Sequence, residues 1–344
     1  MFKRRTLFIV GAGASQEVGF PLGATLARSI GQRLVHQTDE ATRRSIYADP
    51  KFYQQLRRTY PNEINEYFAA ARRITEGIQL ANSIDDFLNI HSADDRIKSV
   101  GKAAIVRSIL EAERASNLFV DQSNIYNKLD FSNVEGTWFV KLMRVLGPDI
   151  PLKYVEALFD QVMFIVFNYD RCLEHFLIHA LQALYGISAD AANKIVGRIS
   201  IVHPYGAVGE LDRVPFGGPD VNEPNYFELA SRIRTYTEQI EDGDIVETMH
   251  EMMQIAQCVV FLGLSFGEQN MDLLKPKAQI ERKPVFGTAY GLSKSDREVV
   301  TSRIMRMMKP PPPATVYTDS LVQLGIDVKC ARLFDEYARS LSAA

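Results

Sequence analysis

Cysteine is nearly missing: three in 344 residues, Cys172, Cys258 and Cys330, far apart and odd in number. They make no Cys-x-x-Cys pair, which excludes a disulfide framework and a four-cysteine zinc site. Long apolar runs are missing too. The basic start Met1-Phe-Lys-Arg-Arg5 leads only into the short run Leu7–Val10, which cannot serve as a signal peptide or a membrane span. A cytoplasmic protein with no membrane partner is expected. Charge excess is also absent: 39 Lys plus Arg against 42 Asp plus Glu leave a net charge of −3. That balance argues against dedicated nucleic-acid binding. His250-Glu251 starts like a zinc-protease motif, but Gln254 stands where the second histidine belongs. Cys172, His175 and His179 have ligand-like spacing, yet they sit among Leu173, Phe176, Leu177 and Ile178 with no fourth ligand. They read as core residues, and no metal is expected.

What is present is a hydrophobic fraction of 46%, enough for a sizeable core. Apolar runs recur at Leu7–Val10, Val162–Phe167, Ile199–His203, Val259–Leu262 and Val285–Tyr290. The first four are apolar on both faces, as strands of a covered parallel sheet are. Helical patterns separate several of them, over Asp170–Tyr185 and Asp244–Gln257. The fold class predicted is α/β, a Rossmann-like doubly wound sheet. Residues 30 to about 155 read as almost wholly helical, including a polar, helix-patterned Leu34–Tyr60. Ser83, with Asp86 at the third position, is placed to cap a helix. The organisation expected is a Rossmann-like unit from 1–30 and 156–295, a helical insertion over 31–155, and a C-terminal helical segment over 296–344. In that last segment Pro310–Pro313 forms a stiff spacer.

The strand Leu7–Val10 runs into Gly11-Ala-Gly13-Ala-Ser15. Strand, glycine loop and helix start together form an anion site, with the glycines allowing a sharp turn and close approach to a phosphate. The dinucleotide pattern G-x-G-x-x-G is incomplete, because Gln16 replaces its third glycine. No second strand ending in an acidic residue follows at the usual distance. An ordinary nicotinamide dehydrogenase is therefore not expected.

Three further strand ends carry polar groups: Phe167-Asn168-Tyr169-Asp170, His203-Pro-Tyr-Gly206 and Gly263-Leu-Ser265-Phe-Gly267. Ligands of open α/β sheets bind at the carboxyl ends of strands. Asn168 can fix a ribose hydroxyl or a water, and Asp170 can accept a bond or cap the next helix. His203 has the chemistry of a general base near neutral pH. Gly263 and Ser265 offer a second glycine and hydroxyl loop for ribose or phosphate.

Taken in order, these four segments resemble the sirtuin (silent information regulator) family, and in particular its bacterial sirtuin-like branch of anti-phage defence systems. Ser83-Ile-Asp-Asp-Phe-Leu88 is also similar to that branch. The resemblance implies an NAD-binding fold with Gly11, Ala12, Gly13 and Ser15 at the pyrophosphate. It implies Asn168 and His203 at the nicotinamide ribose as the catalytic pair, Asp170 facing the nicotinamide, and Gly263 and Ser265 toward the adenosine side. It further implies hydrolysis of NAD, as substrate, to nicotinamide and ADP-ribose. As an NAD-depleting effector the chain would be controlled by assembly as a homo-oligomer or by a partner such as a hexameric defence-system ATPase. A module that senses NAD or ADP-ribose without turnover is the alternative. An NAD-dependent protein deacylase is disfavoured by the missing zinc cysteines.

Overall fold

The computed structural model describes residues 2–38, 45–121, 123–124, 126–219, 224–241, 243–311 and 321–342. The strands are β1 (Thr6–Val10), β2 (His36–Thr38), β3 (Ser45–Tyr47), β4 (Val162–Val166), β5 (Ser200–Val202), β6 (Cys258–Leu262), β7 (Val285–Ala289) and β8 (Val322–Ile326). Six of them form one sheet in the order β5-β4-β1-β6-β7-β8, and every pairing is parallel. All five residues of β1, β4, β6 and β7 are buried. Helices cover both faces, the doubly wound α/β arrangement that apolar strands of this kind require.

Register is set by side chains packing across the sheet. Phe8 of β1 stands opposite Phe164 of β4 and Val260 of β6. Its ring stacks on Phe164 at 5.3 Å and on Phe334 at 6.2 Å. Phe334 lies on the helix Cys330–Ser342, which also packs on Trp138–Leu146.

A largely helical layer stands beside the sheet. Gly23–Arg33, Ile64–Gly77 and Asp95–Ala115 pack on one another, and Tyr226–Leu229, which comes after β5, joins them. Tyr226 is buried there, stacked on Phe52 under the Arg107 guanidinium. The start of Ile84–Ile90 is fixed by Ser83, whose hydroxyl accepts from the Asp86 amide at 3.1 Å.

Two expectations change. The stretch read as almost wholly helical contains an antiparallel strand pair, His36–Thr38 against Ser45–Tyr47. It is too short to carry an apolar run, and Tyr47 and Tyr53 pack at its side. The C-terminal segment supplies β8, paired along its length with β7. Within the Pro310–Pro313 spacer, Pro312 and Pro313 lie outside the described residues. No helix among the described residues is long and apolar enough to cross a membrane.

Candidate functional site at the carboxyl edge of the sheet

Because β5, β4, β1 and β6 are parallel neighbours, their carboxyl ends share one edge. The chain leaves β1 to one side for β4 and β5, then returns to the other side for β6. The reversal falls between β1 and β6, the switch point where such sheets bind ligands. All the loops singled out from the sequence arrive at this edge.

Asn168 joins three of them. Its side-chain amide donates to the Gly11 carbonyl at 3.2 Å and to Ser15 Oγ at 3.0 Å. Its own backbone carbonyl faces Nδ1 of His203 at 3.1 Å. Asn168 and Ser15 are buried, whereas His203 is 14% exposed. Asp170 is buried and accepts from the Cys172 amide, the first of the helix Cys172–Tyr185, at 3.1 Å, while the N-cap position itself is Arg171. Burial pushes its carboxyl above the ordinary range, against the pull of Cys172, Ser15 and nearby His203.

The glycines serve a purpose that the sequence reading did not anticipate. Gly11 has φ −118°, a value open to any residue, so no sharp turn demands it. What excludes a side chain is the loop after β6. A Cβ on Gly11 would sit 2.7 Å from the Gly263 oxygen, and one on Gly13 would sit 2.9 Å from the Gly263 Cα. Gly263 itself has φ +62°. The close approach is thus between two backbone loops. The Gly13 amide donates to Gly263 O and the Ala14 amide to Gly11 O, both at 2.9 Å. These two amides are committed within the protein rather than aimed outward. The helix Ala12–Ser15 is a single turn, so its dipole adds little. Ala12 and Gly13 remain partly exposed at the edge.

Ser265 is exposed and stands apart from the Asn168 and His203 bonds. Its neighbour Phe266 holds φ 56°, left-handed for a non-glycine residue, which costs about 1–2 kcal/mol. Its buried ring packs 5.2 Å from Phe261. The Gly263 amide is tied down by Thr288 Oγ1 at 2.8 Å.

Several residues escaped the sequence reading. Glu174 lies 2.7 Å from His203 Nε2 through Oε1. Burial pushes Glu174 up, but the adjacent His203, together with Glu174's own backbone amide and Arg171, holds the carboxyl below its usual value. Burial likewise pushes His203 down, and Glu174, with the Asn168 carbonyl and Asp170, raises it on balance. The one available signal was spacing, since Glu174 follows Asp170 by one helical turn. Asp85 is bonded by the Tyr169 hydroxyl, and Tyr205 donates to Asn270 Oδ1 at 2.8 Å. Burial lifts the Asp85 carboxyl to about 6. The helical layer thereby reaches the Phe167–Asp170 segment.

His175 Nε2 meets the Leu118 carbonyl at 2.9 Å, and its ring stacks 4.0 Å from Phe216. Among the described residues no group of three or more His, Cys, Asp or Glu is arranged to hold a metal ion. The chain matches no family model, and no curated protein matches it.

Proposed function

We propose that this chain is an NAD glycohydrolase of the sirtuin-like type, hydrolysing NAD to nicotinamide and ADP-ribose. The observation that carries the reading is one connected polar network at the switch point. It runs from Gly11 and Ser15 through Asn168 to His203, three strand ends joined by hydrogen bonds.

Cleavage of the nicotinamide–ribose bond builds positive charge at the anomeric carbon. A water oxygen bonds to that carbon, the bonding pair leaves with neutral nicotinamide, and the water loses one proton. The site has to orient, desolvate and accept that proton. In this proposal Asn168 orients water or ribose, and the proton passes to the hydrogen-bonded His203–Glu174 pair, directly or through a ribose hydroxyl. Gly11, Ala12, Gly13 and Ser15 lie along the pyrophosphate, Asp170 faces the nicotinamide, and Gly263 and Ser265 lie toward the adenosine. Control by self-assembly or by a partner ATPase belongs to the same proposal.

His203, with both ring nitrogens facing acceptors, favours a second reading, a module that binds NAD or ADP-ribose without turnover. One assay decides between them. The protein is incubated with NAD over a range of protein concentrations, and nicotinamide and ADP-ribose are quantified. Release that falls at least a hundredfold in Asn168→Ala and His203→Ala is expected. Binding of NAD without product at any concentration overturns hydrolysis in favour of sensing.

A further inference from the structure

Both ring nitrogens of His203 face acceptors: the Asn168 backbone carbonyl at Nδ1 and Glu174 Oε1 at Nε2. A carbonyl and a carboxylate only accept, so the ring satisfies both contacts when it carries both protons. In that state His203 has no lone pair to offer a ligand. Glu174 does. Its Oε1 is bonded to His203, while Oε2 is buried with no hydrogen-bond partner among the described residues. A buried carboxylate oxygen without a donor is costly, and native structures rarely leave one so.

The neighbouring charges do not compete for that oxygen. Arg171 is spent on Glu113 and on the carbonyls of Gly209, Val214 and Pro215. Asp170 is already bonded to the Cys172 amide. The Glu174 side chain as a whole is 21% exposed, which puts the pair just beneath the carboxyl edge, with Oε2 itself closed to solvent. Ribose brings vicinal hydroxyl donors, and a carboxylate is the usual partner for them in nucleotide sites of this fold class.

We propose that Glu174, held in place by His203, accepts a hydrogen bond from a hydroxyl of the ligand's ribose at Oε2. This rests on the NAD reading above. Glu174 is then the ligand-facing group and His203 the positioning residue, anchored at its far side by the Asn168 carbonyl.

The test pairs a deletion on the ligand with one on the protein. ADP-ribose, and its counterparts lacking the 2- or 3-hydroxyl of the terminal ribose, are titrated into wild type, Glu174→Gln and His203→Gln by calorimetry. In wild type, loss of the bonded hydroxyl is expected to weaken binding about tenfold to a hundredfold. In Glu174→Gln the same loss is expected to cost less than about threefold, because a charge-assisted bond is no longer there to lose. His203→Gln is expected to shrink the hydroxyl penalty relative to wild type, a readout that a merely structural role would not move. A penalty equal in wild type and Glu174→Gln overturns the role of Glu174 alone. Failure of wild type to bind either NAD or ADP-ribose overturns the NAD reading and this proposal together. If Glu174→Gln melts early, Glu174→Asp shortens the reach with the charge kept, and an undiminished penalty there overturns the proposal equally.

Discussion

The Gly13 amide donates to the Gly263 carbonyl at 2.9 Å, binding the loop after β1 to the loop after β6. The contact leaves no room for a side chain. A Cβ on Gly263 would lie 2.2 Å from the Ala14 nitrogen, at a φ that already disfavours one. Gly263→Ala is expected to lose about 3 kcal/mol or more in urea unfolding, overpacking and left-handed strain acting together. Gly267→Ala is the control. Its nearest neighbour would be Ser265 Oγ at 3.8 Å, and a change within about 0.5 kcal/mol is expected.

Glu113 and Arg171 form a buried ion pair, with Arg171 Nη2 2.5 Å from Glu113 Oε2. The Gly217 amide adds a third bond to the carboxylate at 2.8 Å. Removing one partner strands the other charge without water. Glu113→Gln is expected to cost about 3–5 kcal/mol by urea titration, and Glu113→Gln with Arg171→Met is expected to recover part of that loss.

Two histidines give stability opposite pH slopes. Burial pushes His175 down to about 3 from 6.5, so the native state resists its protonation. The contribution of His175 is whole above pH 6.5 and is lost as pH falls toward 3. His203 is raised above 6.5, so its contribution is whole below 6.5 and is lost as pH rises through the higher native value. Its partner Glu174 is lowered from 4.5, and that part is lost only in acid. Melting temperatures from pH 4 to 9 are expected to lose their alkaline slope in His203→Gln and part of their acid slope in His175→Gln.

Tyr169 donates its hydroxyl to Asp85, the contact that opposes the burial penalty on that carboxyl. In Tyr169→Phe the Asp85 carboxyl is expected to titrate above its native value of about 6, as followed by carbon NMR. A stability loss of about 1–3 kcal/mol is expected with it, the usual penalty for a buried acceptor deprived of its donor. An Asp85 titration that stays in place would show that Tyr169 does not set it.

Much of the sheet could be read in advance, because fully buried strands leave continuous apolar runs. Val162–Val166 and Val285–Ala289 match the runs read from the sequence to within a residue at each end. The Ser83 cap was legible because it is a local bond three residues long. β8 was not: it is an edge strand whose residues Gln323–Gly325 are only partly buried, and Gly325 dilutes its pattern. The strand pair of β2 and β3 is three residues on each side and has Ile46 exposed, so periodicity had nothing to register. At the site, Asn168 and His203 stood out because polar residues end apolar strands. Glu174 did not, because its partner arrives from a different strand and only the tertiary fold turns the two together. The glycines of residues 11 and 13 were legible as special, but not that the backbone they admit is the protein's own.

The position of β1 governs how the chain can fold. Thr6 pairs on one side with Val162 and on the other with Cys258. A central strand of the sheet is thus the first of its strands to be made, and both its neighbours come much later. At about 5–20 residues per second of synthesis, β1 waits some tens of seconds before β6 exists. During that wait an apolar strand with two bare edges is exposed to mispairing. High sequence separation of this kind predicts slow refolding from denaturant.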